Sequence, residues 1–512
     1  MKSGLPNVSR VNKTRALWWL AAALVVLAQH TDWSVPLAAW VFPIPLLAYA
    51  RRVPTRRAAV FGWLAILIGT VYWLAVTSLL FVPVAAGLFL ALTVLLTLPY
   101  LADRAFASRF GPLLGSLVFP VTLVTAEYAF SFFDFGDYGT LASTQSGTLP
   151  LVQVASVTGV YGISFALAWF ASVVNTVWAR GFRPARRAVV VHVCVLAAVF
   201  AGGTLRLVLA DTGDRTVRVA GVSAARHAQD ASEKALKGLG IEYWRPEQVA
   251  HSPGAGAAFA PITEDLLAST EAQLGAGAKL VVWPETDAKV LQRDEANLLQ
   301  RVAALTTAKQ AYVQIGLAWY TDTAPFVRNV AILVGPSGEA IWTYDKTHPT
   351  PMEPMAPGTG AVPATGSPFG KLSTVICYDA DYRGLMRRDA DLMLVPANDW
   401  PGFGGLHAEN AVFRAVENGY TVFRQSVNGL ATAIDAQGRI LGKADFYRAD
   451  QQTLVADLPL VPQAWTLYRA VGDVFAWCCA AAALLLAAAA LRRRTAPATG
   501  PDRILNRTAG EG

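Results

Sequence analysis

Three residues in the polar part of this chain stand where apolar runs give way to turns, and their types suit nucleophilic chemistry. Glu285 lies in Trp283-Pro-Glu-Thr, Lys346 in Tyr344-Asp-Lys-Thr-His-Pro and Cys377 in Val375-Ile-Cys-Tyr-Asp. A thiol of ordinary pKa, near 8.5, is a modest nucleophile at neutral pH until a base takes its proton or a cation favours the thiolate. A carboxylate and an ammonium beside it supply both, and the ammonium also faces the oxyanion that forms when a carbonyl is attacked. Taken singly, a cysteine after an apolar strand is commonly a small packed residue, and a Glu or Lys at a strand end is commonly solvated. The order Glu, Lys, Cys, with gaps of sixty-one and thirty-one residues, is what lifts the three above that reading.

The elements that must position them follow from periodicity. Thr216-Val-Arg-Val-Ala-Gly-Val alternates as a strand, Lys279-Leu-Val-Val-Trp reads as a buried one, and Ala311 to Leu317 as another. Two strands flank the turn Pro336-Ser-Gly-Glu, and further strands are expected at Leu372–Cys377, Asp391–Val395, Thr421–Val427 and Leu430–Ile434. Helical spacing falls near Pro261–Leu274, Glu295–Lys309, Tyr382–Arg388 and Leu406–Asn418. This is an α/β layout, in which active residues sit at strand ends and in the loops after them. The segment from Ala225 to Phe259 fits neither period and reads as a loop insertion with some helix, lying either over the site or on a membrane.

The rest of the chain is too apolar for a soluble domain. Of 512 residues, 54% are hydrophobic and 15% charged, with a mean hydropathy of +0.37. Eight apolar runs approach the length needed to cross a ~30 Å hydrocarbon core: Ala16–Gln29, Trp33–Ala50, Ala58–Leu80, Val82–Ala102, Leu113–Phe133, Leu151–Trp178, Ala188–Ala210 and Val474–Leu491. The first is short and follows basic residues, but no small-residue cleavage site follows it, so it reads as a retained signal anchor. Alternate loops are basic: Lys2, Arg10, Lys13 and Arg15; Arg51, Arg52, Arg56 and Arg57; Arg104 and Arg109; Arg180, Arg183, Arg186 and Arg187; Arg492, Arg493 and Arg494. The intervening loops carry Asp32, little around Phe81, and Asp134 with Asp137. The positive-inside rule then puts both termini in the cytoplasm and the polar domain outside.

The formal charge of +7 is therefore spent beside membrane helices, and no nucleic-acid partner is expected. Cys194, Cys478 and Cys479 lie in apolar runs, where they read as small fillers, so no disulfide framework is available. Six histidines are scattered without ligand spacing, and no metal or cofactor is expected.

The Glu285–Lys346–Cys377 order on an α/β layout resembles the nitrilase superfamily of carbon-nitrogen hydrolases. With seven spans before that domain and one after it, the chain resembles more narrowly the apolipoprotein N-acyltransferase family. The resemblance implies a multi-span helical membrane bundle (1–212), an extracytoplasmic nitrilase-type αββα sandwich (213–460), a linker with an eighth span (461–494) and a disordered cytoplasmic tail (495–512). It implies a multi-pass protein of the bacterial inner membrane that moves an acyl chain from a membrane phospholipid to the diacylglyceryl-cysteine amine of a lipoprotein, through a cysteine thioester. Glu285 would be the general base, Lys346 the stabiliser of the tetrahedral intermediate and Cys377 the nucleophile. Glu353 stands near the family's second glutamate, Tyr378 matches the tyrosine after the nucleophile, and Trp400 in Asn398-Asp-Trp falls at a lipid-facing lid. His407, Glu417-Asn-Gly and Arg424-Gln-Ser-Val-Asn-Gly also follow the pattern, with structural roles implied.

Three departures bear on substrate handling. Asp379 replaces a usual glutamate, Trp400-Pro-Gly-Phe-Gly-Gly replaces the usual lid segment, and Gly221-Val-Ser-Ala stands where Gln-Gly-Asn is usual. They leave open a membrane-tethered amidase or hydrolase in which water or a small amine resolves the thioester. A non-enzymatic transporter with an outer binding domain has less behind it, since no internal repeat or paired broken helices are visible.

Overall fold

The computed structural model describes residues 8–29, 31, 35–133, 138–211, 213–351 and 353–495. Lys2, Asp32, Asp134, Asp137 and the tail after Thr495 lie outside the described residues.

Among the described residues, six helices are long and apolar enough to cross a membrane: Thr55–Val76, Pro83–Arg109 (its last residues a 3₁₀ turn), Pro112–Phe130, Val160–Arg180, Phe182–Val208 and Val474–Arg493. Two further helical stretches pack with them. Val8–Leu27 lies against Pro43–Arg52 and Thr55–Val76. The run read as one span at Trp33–Ala50 is instead two helices, Pro36–Val41 and Pro43–Arg52, because prolines at 43 and 45 remove backbone donors at the joint. The run read from Leu151 is also interrupted: short turns at Leu149–Val152 and Ala155–Thr158 end at Gly159, whose φ of 65° restarts the chain as Val160–Arg180. Buried polar groups fasten the bundle. Arg51 grips Asp103 in a two-pronged pair at 2.7 and 2.8 Å, and Glu127 accepts the Leu141 N–H at 2.9 Å.

The polar domain is a sandwich of two mixed sheets. Its strands are β1 (Thr216–Val222), β2 (Leu280–Val282), β3 (Ala288–Leu291), β4 (Tyr312–Tyr320), β5 (Val327–Val334), β6 (Ala340–Asp345), β7 (Ala364–Ser367), β8 (Gly370–Thr374), β9 (Leu392–Asn398), β10 (Thr421–Val427), β11 (Leu430–Ile434), β12 (Ile440–Asp445) and β13 (Thr453–Pro459). One sheet runs β13-β1-β2-β4-β5-β6, with β3 also on β4; the other runs β12-β11-β10-β9-β8-β7. The central pairs β1-β2-β4 and β8-β9-β10 are parallel.

Period-two alternation sorts the side chains into layers. Leu280 and Val282 of β2 meet Leu392 and Leu394 of β9 between the sheets. Val281 faces outward, onto the helices Ala255–Gly275 and Glu295–Lys309. Met393 and Val395 face the other way, onto the helix Gly404–Asn418, whose far side packs on the membrane helices. The layers therefore stack as helix, sheet, sheet, helix, and then the apolar helix bundle. The insertion at 225–259 holds two helices, Arg226–Gly238 and Pro246–His251, and the start of a third.

Several side chains clamp the sandwich to the bundle. Glu417 of the Gly404–Asn418 helix accepts the Val160 N–H at 3.1 Å, serving an unpaired donor at a membrane helix start. Ser146 donates to Glu409, Tyr138 to Asp381, and Gln153 to the Gln437 carbonyl. Arg383 reaches Ser131 and Asp473.

Candidate active site

Lys346 directly follows β6, and its backbone is fixed on both sides: its N–H donates to the Asn329 carbonyl and its own carbonyl accepts from the Gly358 N–H. The side chain is 1% exposed and its ammonium lies 2.7 Å from Glu285 Oε1 and 2.7 Å from Glu353 Oε1. Burial alone would lower the pKa of this lysine, but the charges of Glu285, Cys377 and Glu353 hold it well above the ordinary value. An ammonium has three protons, and three carboxylate oxygens accept from this one, Glu285 Oε1 at 2.7 Å and Glu353 Oε1 and Oε2 at 2.7 and 3.0 Å. Glu353 is raised by its burial against the opposing pull of Lys346.

Glu285 follows β2, where the parallel strands end. Its Oε1 also accepts from Asn329 Nδ2 at 2.6 Å and its Oε2 from the backbone N–H of Asn398 at 2.8 Å. Asn398 closes β9 and links the acid to the thiol, because its carbonyl lies 3.6 Å from Cys377 Sγ.

Cys377 does not end a strand, as the sequence suggested. β8 stops at Thr374, and Cys377 begins a 3₁₀ turn with φ of 49°, a left-handed conformation that costs a non-glycine residue energy and recurs where geometry serves function. Burial first, and then the Glu285 charge, push its thiol up to about 11, while Lys346 and His407 pull the other way. The buried resting group is therefore favoured as a neutral thiol.

Asp379, two residues on, is fully buried and gathers donors from both loops. It accepts from Tyr344 OH at 2.8 Å, His348 N at 2.7 Å, Thr347 N at 3.1 Å and Ile376 N at 3.3 Å. Tyr378 and Trp400 lie instead on the membrane side. Tyr378 joins a cluster with Trp73, Phe89, Phe130 and Phe403, and Trp400 stacks on Phe403 at 4.3 Å while its indole N–H donates to the Thr77 carbonyl at 2.7 Å.

Beneath the thiol is a charge network that the sequence reading did not resolve. Asp399 is held by Arg424 at 2.7 and 2.8 Å, by Ser426 at 2.6 Å and by His407 Nδ1 at 2.9 Å. Burial opposes ionisation of Asp399, but Arg424 and His407 keep its carboxyl far below the usual range. Asn329 is also new to the site. Its one sequence signal is a polar residue within the apolar run of β5.

The fold and this site define a nitrilase-type carbon-nitrogen hydrolase domain built onto a membrane bundle. Residues 252–463 match the family model of carbon-nitrogen hydrolases, and residues 21–173 match that of the apolipoprotein N-acyltransferase N-terminal domain. The apolipoprotein N-acyltransferase of Geobacter metallireducens is 28% identical over 504 residues, covering 90% of this chain and 91% of its own. That of Azotobacter vinelandii is 28% identical over 470 residues, covering 82% and 84%. Among solved structures, an amidase from Nesterenkonia sp. AN1 aligns at 20% identity and TM-score 0.37, over 49% of this chain and 94% of its own. The chain belongs to the apolipoprotein N-acyltransferase family, and it is a multi-span membrane protein.

Proposed function

We propose that this protein transfers an acyl chain from a membrane phospholipid to the α-amine of a lipoprotein's N-terminal diacylglyceryl cysteine, through a thioester on Cys377. Glu285 takes the thiol proton, and the sulfur attacks an ester carbonyl of the phospholipid. Lys346 faces the oxyanion of the tetrahedral intermediate, the C–O bond breaks, and the proton held by Glu285 passes to the departing lysophospholipid. The lipoprotein amine then attacks the thioester, Glu285 accepts its proton, and as the C–S bond breaks Glu285 passes that proton to the sulfur, leaving the N-acylated product, the free thiol and the ionised Glu285. Glu353 holds the lysine between two carboxylates, Asp379 fixes the two loops, and Tyr378 and Trp400 line the side from which lipid arrives.

The observation that carries this reading is the Lys346 ammonium at 2.7 Å from both Glu285 and Glu353, with Tyr378, next to the thiol, in an aromatic cluster packed on the membrane helices. Both substrates are anchored in a bilayer, so a site at its surface gains effective concentration without extracting either. The loop charges favour eight spans, with Val8–Leu27 and Pro36–Arg52 crossing as well, both termini cytoplasmic and the sandwich on the extracytoplasmic side of a bacterial inner membrane.

The test is a chase. The protein in detergent micelles is loaded with a phospholipid radiolabelled in its acyl chain and then given a diacylglyceryl-cysteinyl peptide. Label moving from protein to the peptide amine supports the transferase. Release as free fatty acid at the same rate with and without peptide assigns the hydrolase instead.

A further inference from the structure

We propose that His407 serves the reaction as a buried, doubly protonated imidazolium that favours the thiolate of Cys377. It is a positioning residue that acts through the sulfur and gives up no proton of its own. The inference rests on the reading of Cys377 as the nucleophile.

Both ring nitrogens lie beside carboxylates, Nδ1 in a 2.9 Å hydrogen bond with Asp399 Oδ1 and Nε2 at an ion-pair distance of 2.9 Å from Asp381 Oδ2. A neutral imidazole has one N–H and one lone pair, and would set that lone pair against a carboxylate oxygen on one side; the doubly protonated ring suits both. Neither aspartate is free to turn away. Asp399 is fixed by Arg424 and Ser426, and Asp381 by Asn410 Nδ2 and by the Tyr138 hydroxyl, each at 3.1 Å. The three side chains are at most 3% exposed, so water does not dilute the contacts. Burial disfavours the charged ring, but Asp381 more than reverses this and holds His407 well above the ordinary histidine value.

A ring nitrogen of this cation, Cys377 Sγ and an Asp399 oxygen all lie within 4.8 Å of one another. Ligand spacing in the sequence does not reveal this cluster, and its donors are already committed to Arg424, Ser426 and each other. The titratable and charged groups around thiol and ring are Glu285, Lys346, Asp381, Asp399, Arg424 and Tyr138. Lys346 is held by two carboxylates and still pulls the thiol toward ionisation, and His407 adds to that pull. His407 supplies a second cation from beneath. The thiolate forms twice, when sulfur attacks the ester and when it leaves the thioester, so one fixed charge favours both steps.

The test is the pH dependence of Cys377 alkylation by iodoacetamide in the full-length protein, resolved by peptide mass spectrometry so that Cys194, Cys478 and Cys479 do not contribute. His407→Gln should move the apparent thiol pKa upward by about one unit. It should lower kcat for acyl transfer about tenfold and leave KM for phospholipid unchanged. Asp381→Asn keeps the ring but removes one carboxylate, and its alkylation profile should gain an inflection near neutral pH as His407 begins to titrate. If His407→Gln does not fold, the Asp381→Asn profile decides. Profiles that superimpose on wild type in folded variants overturn the proposal. Acyl labelling of Cys377 in the wild type is scored separately, so loss of that labelling removes the nucleophile reading itself.

Discussion

The Asp379 carboxylate, two residues beyond the thiol, accepts at 3.1 Å the backbone N–H of Thr347, the residue after the Lys346 ammonium. One buried side chain thus sets the spacing between the sulfur's loop and the lysine's. Asp379→Asn keeps the shape but weakens hydrogen bonds that a charged acceptor makes worth about 1.5–3 kcal/mol each. We expect turnover to fall about tenfold or more while the protein stays folded, measured as single-turnover acylation against thermal unfolding. Asp379→Glu adds a methylene where there is no exposed surface, and should lower stability by about 1–3 kcal/mol.

Removing the lysine leaves two carboxylates facing each other. Lys346→Met should abolish acyl-enzyme formation and destabilise the fold by about 3–5 kcal/mol, the range for breaking a buried ion pair. Lys346→Met combined with Glu353→Gln should recover part of that stability and none of the activity. Recovered turnover in the double variant would remove the oxyanion role.

The thiol makes stability depend on pH with a definite sign. Its folded value, about 11, lies above the ~8.5 of an unfolded cysteine, so the native state keeps a proton that the unfolded chain loses. Its contribution is fully present below the unfolded value and disappears as pH rises from about 9 toward about 11. Wild type should therefore lose Tm relative to Cys377→Ala across that window. Parallel Tm curves for the two proteins would contradict the burial of an un-ionised thiol.

The seam between sandwich and bundle has a steric check. Gly402 has φ of 83°, and a Cβ there would fall 2.3 Å from the Val76 carbonyl at the end of a membrane helix. Gly402→Ala should push Trp400 off the Thr77 carbonyl, lowering acyl transfer while leaving the alkylation rate of Cys377 near wild type. An unchanged transfer rate would show that this contact does not serve lipid entry.

Orientation is checked independently of chemistry. A reporter fused after Arg494 should read as cytoplasmic and one inserted in the 225–259 segment as extracytoplasmic; the reverse pattern overturns the eight-span reading.

Much of this was legible in the sequence where one physical signal acts locally. Strands β1, β2, β4, β9, β10 and β11 announce themselves because alternating or continuous apolar residues match two-faced burial. β3 and β7 do not: the first is four residues long, and the second is Ala-Thr-Gly-Ser with exposed positions. β12 buries no position fully, and β13 alternates in burial but carries the apolar Val455 on its wet face, so neither shows a clean pattern. Hydropathy measures composition rather than backbone continuity, so it read through the break at Phe42 and the turn at Gly159. At the site, Glu285 and Lys346 were legible as types at strand ends, and they meet at 2.7 Å. The His407 network was not, since Asp381, Asp399 and Arg424 come from separate elements that only the sandwich brings together.

The proposed transfer depends on a sulfur that carries the acyl group. Intact-protein mass spectrometry of the enzyme incubated with a single defined phospholipid, without acceptor, measures this directly. One added acyl mass is expected on the wild type, localised to Cys377, discharged by hydroxylamine and lost in Cys377→Ala. An acyl adduct that persists in Cys377→Ala, or acyl transfer by a folded Cys377→Ala protein, would contradict it.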